Sequence, residues 1–230
     1  RAHFSSVAPV AKKHHHLQEL ALKENCILVD ENDVPLGHSS KRECHLVDAN
    51  GLVKLHRAFS VFLFNSNGDM LIQRRSAFKI TFPDTYTNAC CSHPLHDIPE
   101  EREECDALGV KRAAQRRLNY ELGIPLSQAK PEDFQYLTRI HYANQGDGTW
   151  GEHEIDYILF LQKDVDIIPN PNEVSEIQFV RRMELDETMK NLQAPLTPWF
   201  NLILKHRLKL WWDNLHQIKK FEDQKTIHRL

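Results

Sequence analysis

Apolar and polar positions along this chain alternate between two periods. Residues 58–64 and 155–161 form nearly unbroken apolar runs of strand length. Runs this short predict strongly apolar strands. Turn formers at 65–69 separate the first run from residues 70–75, which predicts a β-hairpin with basic residues at its far end. Residues 26–30 read as a strand before a turn at Asn32-Asp33. Residues 134–142 and 154–161 read as two strands around a glycine-rich turn (Gly146, Gly148, Gly151), and 177–181 as a shorter one. The period becomes helical over 106–122, where no proline interrupts and Gly123 with Pro125 makes a stop. Thr197-Pro198 opens a second helix expected to run through Leu215, with proline at the first helical position. Strands and helices in this order, without regular βαβ alternation, predict an α+β mixed sheet covered by helices. No repeat or linker divides the chain, so residues 26–230 are expected to form one domain behind a flexible tail, 1–25.

Composition narrows the classes. The net charge of −3 over 230 residues gives no general nucleic-acid or membrane signature, so an anionic ligand would need a local basic cluster. No apolar run approaches the ~20 residues of a membrane helix. The basic stretch 1–16, with His14, His15 and His16, reads as a plain tail or as the end of a transit segment. The five cysteines are odd in number and contain no CxxC pair, which predicts reduced thiols. The tripeptide His228-Arg229-Leu230 resembles a relaxed peroxisomal address, so a cytoplasmic or peroxisomal location is expected. Neither GxGxxG nor GxxxxGK[ST] occurs.

Four groups of residues offer chemistry. On an extended segment, Cys91 and His93 share a face, so a reactive thiol and an imidazole can meet in one pocket; a buried structural cysteine beside a loop histidine is the plainer alternative. Glu152 and Glu154 likewise share a face at the start of an apolar strand. There they can bind a divalent cation, or one can bind while the other moves a proton. His45 and His56 are potential ligands for zinc, manganese or iron, although lone histidines usually serve the surface or a satisfied core. Lys41, Arg74, Arg75 and Lys79 are basic groups suited to a diphosphate, or to a solvated face. Spacing alone does not join these groups into one site.

Taken together, the strings resemble the type I isopentenyl-diphosphate isomerases. They are His56-Arg-Ala-Phe-Ser-Val-Phe-Leu-Phe64, Lys79-Ile-Thr-Phe-Pro83, Thr87-Asn-Ala-Cys-Cys-Ser-His-Pro94, Asp106-Ala-Leu-Gly-Val110, Trp150-Gly-Glu-His-Glu-Ile-Asp-Tyr157, Thr197-Pro-Trp-Phe200 and Trp211-Trp-Asp213. Their order looks like the eukaryotic branch. The resemblance implies a Nudix-like α/β/α sandwich and an isomerase of isoprenoid and sterol precursor synthesis, acting as a monomer or weak dimer on a small isoprenoid diphosphate, with no nucleic-acid partner and no stable membrane insertion. It implies a metal site of His45, His56, His93, Glu152 and Glu154, filled by zinc, manganese or magnesium. It further implies proton transfer by Cys91 and Glu154, and a magnesium ion on the diphosphate held partly by Glu121. Lys41, Arg75, Lys79 and Ser92 would contact the diphosphate, and Tyr142 and Trp199 the hydrocarbon end. The acid-rich box of phosphate-hydrolysing Nudix enzymes is degenerate here, with Arg116, Arg117 and Tyr120 at its acidic positions. That favours isomerase over a Nudix-type diphosphohydrolase or a non-catalytic metal-binding module. Asp84 stands where the family pattern has glycine.

Overall fold

The computed structural model describes residues 16–230. His3, His14, His15 and the rest of the basic stretch before His16 lie outside the described residues. A helical segment at residues 16–21 (α1) leads through buried Leu22 into strand β1 (Asn25–Val29). β1 pairs with β2 (Pro35–Ser40), and the short helix α2 (Lys41–His45) follows at once. The Ser40 hydroxyl caps α2 by accepting from the Glu43 backbone N–H at 3.3 Å.

The centre of the molecule is β3 (His56–Phe64), whose nine residues are all buried. Its neighbours explain why the apolar run is unbroken. β8 (Glu152–Gln162) lies parallel to it on one side, and β6 (Cys90–Ser92) and β1 pair with it antiparallel. β7 (Gln135–Asn144) pairs antiparallel with β8, and β10 (Ile227–Arg229) adds in parallel to β7. Strand alternation sends Phe59, Val61 and Leu63 into one core cluster with Ala113, Ala114, Leu118 and Leu122 of α3 (Leu108–Leu122). Phe62 and Phe64 point the other way, onto Phe200, Trp211 and Trp212 of the C-terminal helices. A mixed ten-stranded sheet between two helical layers is the result. No described helix is long and apolar enough to cross a membrane.

Several expected boundaries move. The hairpin from β3 into β4 (Met70–Arg75) pairs only at Phe64 and Met70; β4 then diverges to pair with β5 (Tyr86–Asn88) and β9 (Val174–Val180). The helix expected from 106 starts at Leu108, because Asp106 and Ala107 are left-handed (φ 52° and 53°). The helix expected to run unbroken to Leu215 instead contains a π turn: α5 (Pro198–Ile203) passes through Leu204–Leu208 into α6 (Lys209–Asp213). β8 opens at Glu152, two residues before the expected start at 154, so the two glutamates stand at its entrance as expected. β2, α2, β5 and β10 had no clear periodicity in the sequence.

Candidate metal and acid–base site

Strand register builds the site. Glu154 on β8 lies beside His56 of β3 and opposite Tyr142 of β7. Glu152, Glu154 and Asp156 alternate onto the face of Ile158 and Phe160, which the C-terminal helices cover. Ser60, two turns of the pleat along β3 from His56, is opposite Cys91 on β6, and His93 follows that strand. α2 contributes His45. Distant stretches of chain therefore converge on one end of β3.

The imidazoles of His45, His56 and His93 and the carboxylates of Glu152 and Glu154 are all buried, with one ligand atom of each lying within 4.8 Å of all the others. His93 Nε2 approaches Glu154 Oε1 at 2.9 Å, His56 Nε2 approaches the same oxygen at 3.4 Å, and His45 Nε2 is 3.2 Å from Glu152 Oε2. The outer ring nitrogens are tied down: His45 Nδ1 to the Lys41 carbonyl at 2.7 Å and His56 Nδ1 to the Lys54 carbonyl at 2.8 Å. A carbonyl only accepts, so each Nδ1 carries a hydrogen, and in the neutral ring Nε2 presents its lone pair inward. His56 Nε2 and Glu152 Oε2 are buried without a hydrogen-bond partner. Orphaned buried groups of this kind are costly unless something charged completes them. Three imidazoles and two carboxylates fit a divalent metal ion, and the cluster can hold one.

Burial and mutual repulsion set the charges. Burial, then the neighbouring His56 charge, pushes His45 well below the ordinary imidazole range. Burial depresses His93 to about 3 despite its bond to Glu154. Burial opposes ionisation of Glu154, but the close approach of His56 and His93 outweighs it and holds the carboxyl well below its usual range. Burial and the Glu154 charge push Glu152 well above that range.

Cys91 is on the same cavity. Its S–H donates to Asn88 Oδ1 at 3.0 Å, and its sulfur lies 3.3 Å from Ser60 Oγ. Burial, then the charge of Asp156, raises its pKa far above that of a free thiol, so the proton stays on. Thr87 organises the wall behind it: its hydroxyl donates to Asn88 Oδ1 and accepts from Thr197 and from the Trp199 indole N–H at 2.9 and 3.0 Å.

A narrow cavity of about 30 Å³ is lined by Lys41, His45, Arg75, Lys79, Cys91, Ser92, His93, Glu152, Glu154 and Trp199, together with Thr81 and Arg117. Ten of the thirteen residues that the resemblance assigns to the site thus meet there, whereas Arg74, singled out with the basic group, donates to Asp84 and does not line the cavity. The others are adjacent or displaced. His56 completes the histidine cluster, and Tyr142 donates its hydroxyl to Glu154 Oε2 at 2.5 Å. Glu121 lies on α3, bound by Arg117 at 2.5 Å, and does not line the cavity. Arg117 went unassigned in the sequence because its neighbours on α3 alternate between core and surface. Asn88, Thr87 and Ser60 were missed for want of a charge or a spacing signal.

The α/β/α sandwich that carries this cluster is the architecture of a Nudix protein. The NUDIX domain matches residues 54–200. The structure of DR0079 from Deinococcus radiodurans superposes with a TM-score of 0.53 at 18% identity, covering 80% of this chain and 100% of that one, a likeness of fold. The chain is 54% identical to Isopentenyl-diphosphate Delta-isomerase 1 of Mesocricetus auratus, covering 91% of this chain and 93% of the relative. It is 48% identical to Isopentenyl-diphosphate Delta-isomerase of Dictyostelium discoideum, covering 95% and 94%. Within the Nudix proteins, the chain belongs to the isopentenyl-diphosphate Delta-isomerase family.

Proposed function

We propose that this enzyme interconverts isopentenyl diphosphate and dimethylallyl diphosphate by adding one proton to the alkene and removing another, through a tertiary carbocation. The carrying observation is that Cys91 and Glu154 line one cavity, the thiol donating to Asn88 and the carboxyl group held by Tyr142 and facing His93. An alkene shift requires one acid and one base at the same substrate. Here burial holds the proton on the thiol, and Glu154 offers the carboxyl group on the other side. The two groups exchange roles in the reverse direction.

The cavity wall suits such an intermediate. A carbocation survives only where water is excluded. Trp199 is 4% exposed and its indole N–H is committed to Thr87, which fixes the ring. An aromatic face beside a desolvated cation is worth about 2 kcal/mol. Tyr142 stands at the same end and orients Glu154. Lys41, Arg75, Lys79 and Ser92 would hold the diphosphate, which is anchored and not cleaved. A magnesium ion on the diphosphate and a second divalent ion, zinc, manganese or magnesium, on the three histidines and two glutamates complete the reading. When bound, the second ion supplies fixed positive charge beside Glu154.

The hydrolase alternative is less well supported. Glu121, the acid surviving from the Nudix box, is ion-paired with Arg117, and Arg116 is bound to Glu101 at 2.5 Å. The test is incubation with isopentenyl diphosphate and divalent metal in D2O, followed by NMR. Dimethylallyl diphosphate carrying solvent deuterium is expected. Release of phosphate, or product without deuterium, contradicts the mechanism.

A further inference from the structure

Lys79 and Arg117 line the cavity, yet each is already partnered. Lys79 Nζ donates to Glu173 Oε2, and Arg117 Nη2 is 3.5 Å from the same oxygen and 2.5 Å from Glu121 Oε1. All four side chains are at most 9% exposed. Two cations and two carboxylates sum to zero, so the anchor is electrically satisfied before any ligand arrives. Glu173 precedes β9 and does not line the cavity; it approaches the cations from the far side. Its other oxygen accepts from the Gln18 side-chain amide of α1 at 3.0 Å, and its carbonyl accepts from the Ser76 N–H.

The cavity volume points the same way. About 30 Å³ accommodates roughly one water, whereas small-molecule sites run to roughly 300 Å³ or more. A diphosphate therefore enters only if the wall rearranges and the cations turn toward it. A buried ammonium is costly without a counter-charge, so some anion must face Lys79 both before and after binding.

We propose that Glu173 is an internal counter-anion, which neutralises Lys79 and Arg117 in the free enzyme and yields them to the substrate's diphosphate. This rests on the diphosphate reading above. Glu173 sets the affinity of the site by competing with the ligand. Removing its charge raises affinity for the ligand and lowers the stability of the free protein. Loss of packing or of Lys79 alignment would do the opposite to affinity, so tighter binding is a readout that structural damage does not produce.

The experiment is calorimetric titration of inorganic pyrophosphate with magnesium into the wild-type chain, Glu173→Gln and Lys79→Ala. Glu173→Gln is expected to bind about tenfold tighter, the size of one lost charge competition in a partly screened site. Equal or weaker binding overturns the inference and leaves the diphosphate reading standing if Lys79→Ala binds more weakly than wild type. No binding by the wild-type chain, or full binding by Lys79→Ala, sinks the assignment of Lys79 as an anchor, and this inference with it. If Glu173→Gln does not fold, Gln18→Leu carries the test. It deletes the amide that holds Glu173 and touches no cavity residue; binding about threefold tighter is expected, and unchanged or weaker affinity overturns the proposal.

Discussion

Asp84 shows what one departure from a family pattern costs. Its φ of 55° lies in the left-handed region, where glycine is free of penalty and a side chain is not. Aspartate tolerates that region better than most residues, and here its carboxylate accepts from Arg74 Nε at 2.8 Å. Asp84→Ala should cost about 1 kcal/mol, and Asp84→Gly less than half of that; thermal unfolding of both variants decides. In the cavity wall, Cys91→Ala should reduce turnover at least about 10²-fold with little change in unfolding temperature. The thiol is held by Asn88 and Ser60 but fills no large volume. Full activity in that variant would remove the thiol from the chemistry.

Elements carry constraints that no single side chain reveals. The first turn of α3 packs so closely on the 3₁₀ turn Pro99–Arg102 that a Cβ on Gly109 would lie 2.3 Å from the Glu101 carbonyl oxygen. Gly109→Ala should therefore destabilise by about 2 kcal/mol, read as a shift in denaturant midpoint. An unchanged midpoint would mean that this turn is free to move. β9 and its preceding turn make a second test through Glu173. Burial opposes its ionisation, but the charges of Lys79 and Arg117 prevail and depress it to about 2 from the ordinary 4.5. A depressed carboxyl stabilises the fold fully above its unfolded value and loses that contribution as pH falls through the folded one. Acid unfolding followed from pH 5 to 2 should steepen across this window in the wild-type chain and flatten in Glu173→Gln.

The whole molecule brings five groups able to ligate a metal, from α2, β3, the segment after β6, and β8, into one buried cluster. Removing metal should then act globally. Chelation is expected to abolish activity and lower the unfolding temperature, since an ion bound only by the folded state stabilises it by mass action. Readdition of zinc, manganese or magnesium, one at a time, identifies the ion that restores both. His45→Ala should lower metal stoichiometry measured by elemental analysis, and stoichiometry unaffected by that change would exclude His45 as a ligand. The same convergence explains how much was legible beforehand. The central strands and α3 announced themselves through period and caps. The π turn in the C-terminal helix did not, because its residues keep helical spacing. β2 and β5 are too short and too polar to stand out.

By itself, the sequence determined the apolar runs of β3 and β8, the pairs Cys91/His93 and Glu152/Glu154 that an extended chain must place on common faces, and the family likeness of its strings. These are local properties, set by a two-residue or 3.6-residue repeat. Only the tertiary structure decided that His56 lies beside Glu154, that Cys91 shares their cavity, and that Glu121 and Glu173 bind the cations behind it. Those relations depend on strand register and on the balance of buried charge, which involve residues a hundred positions apart.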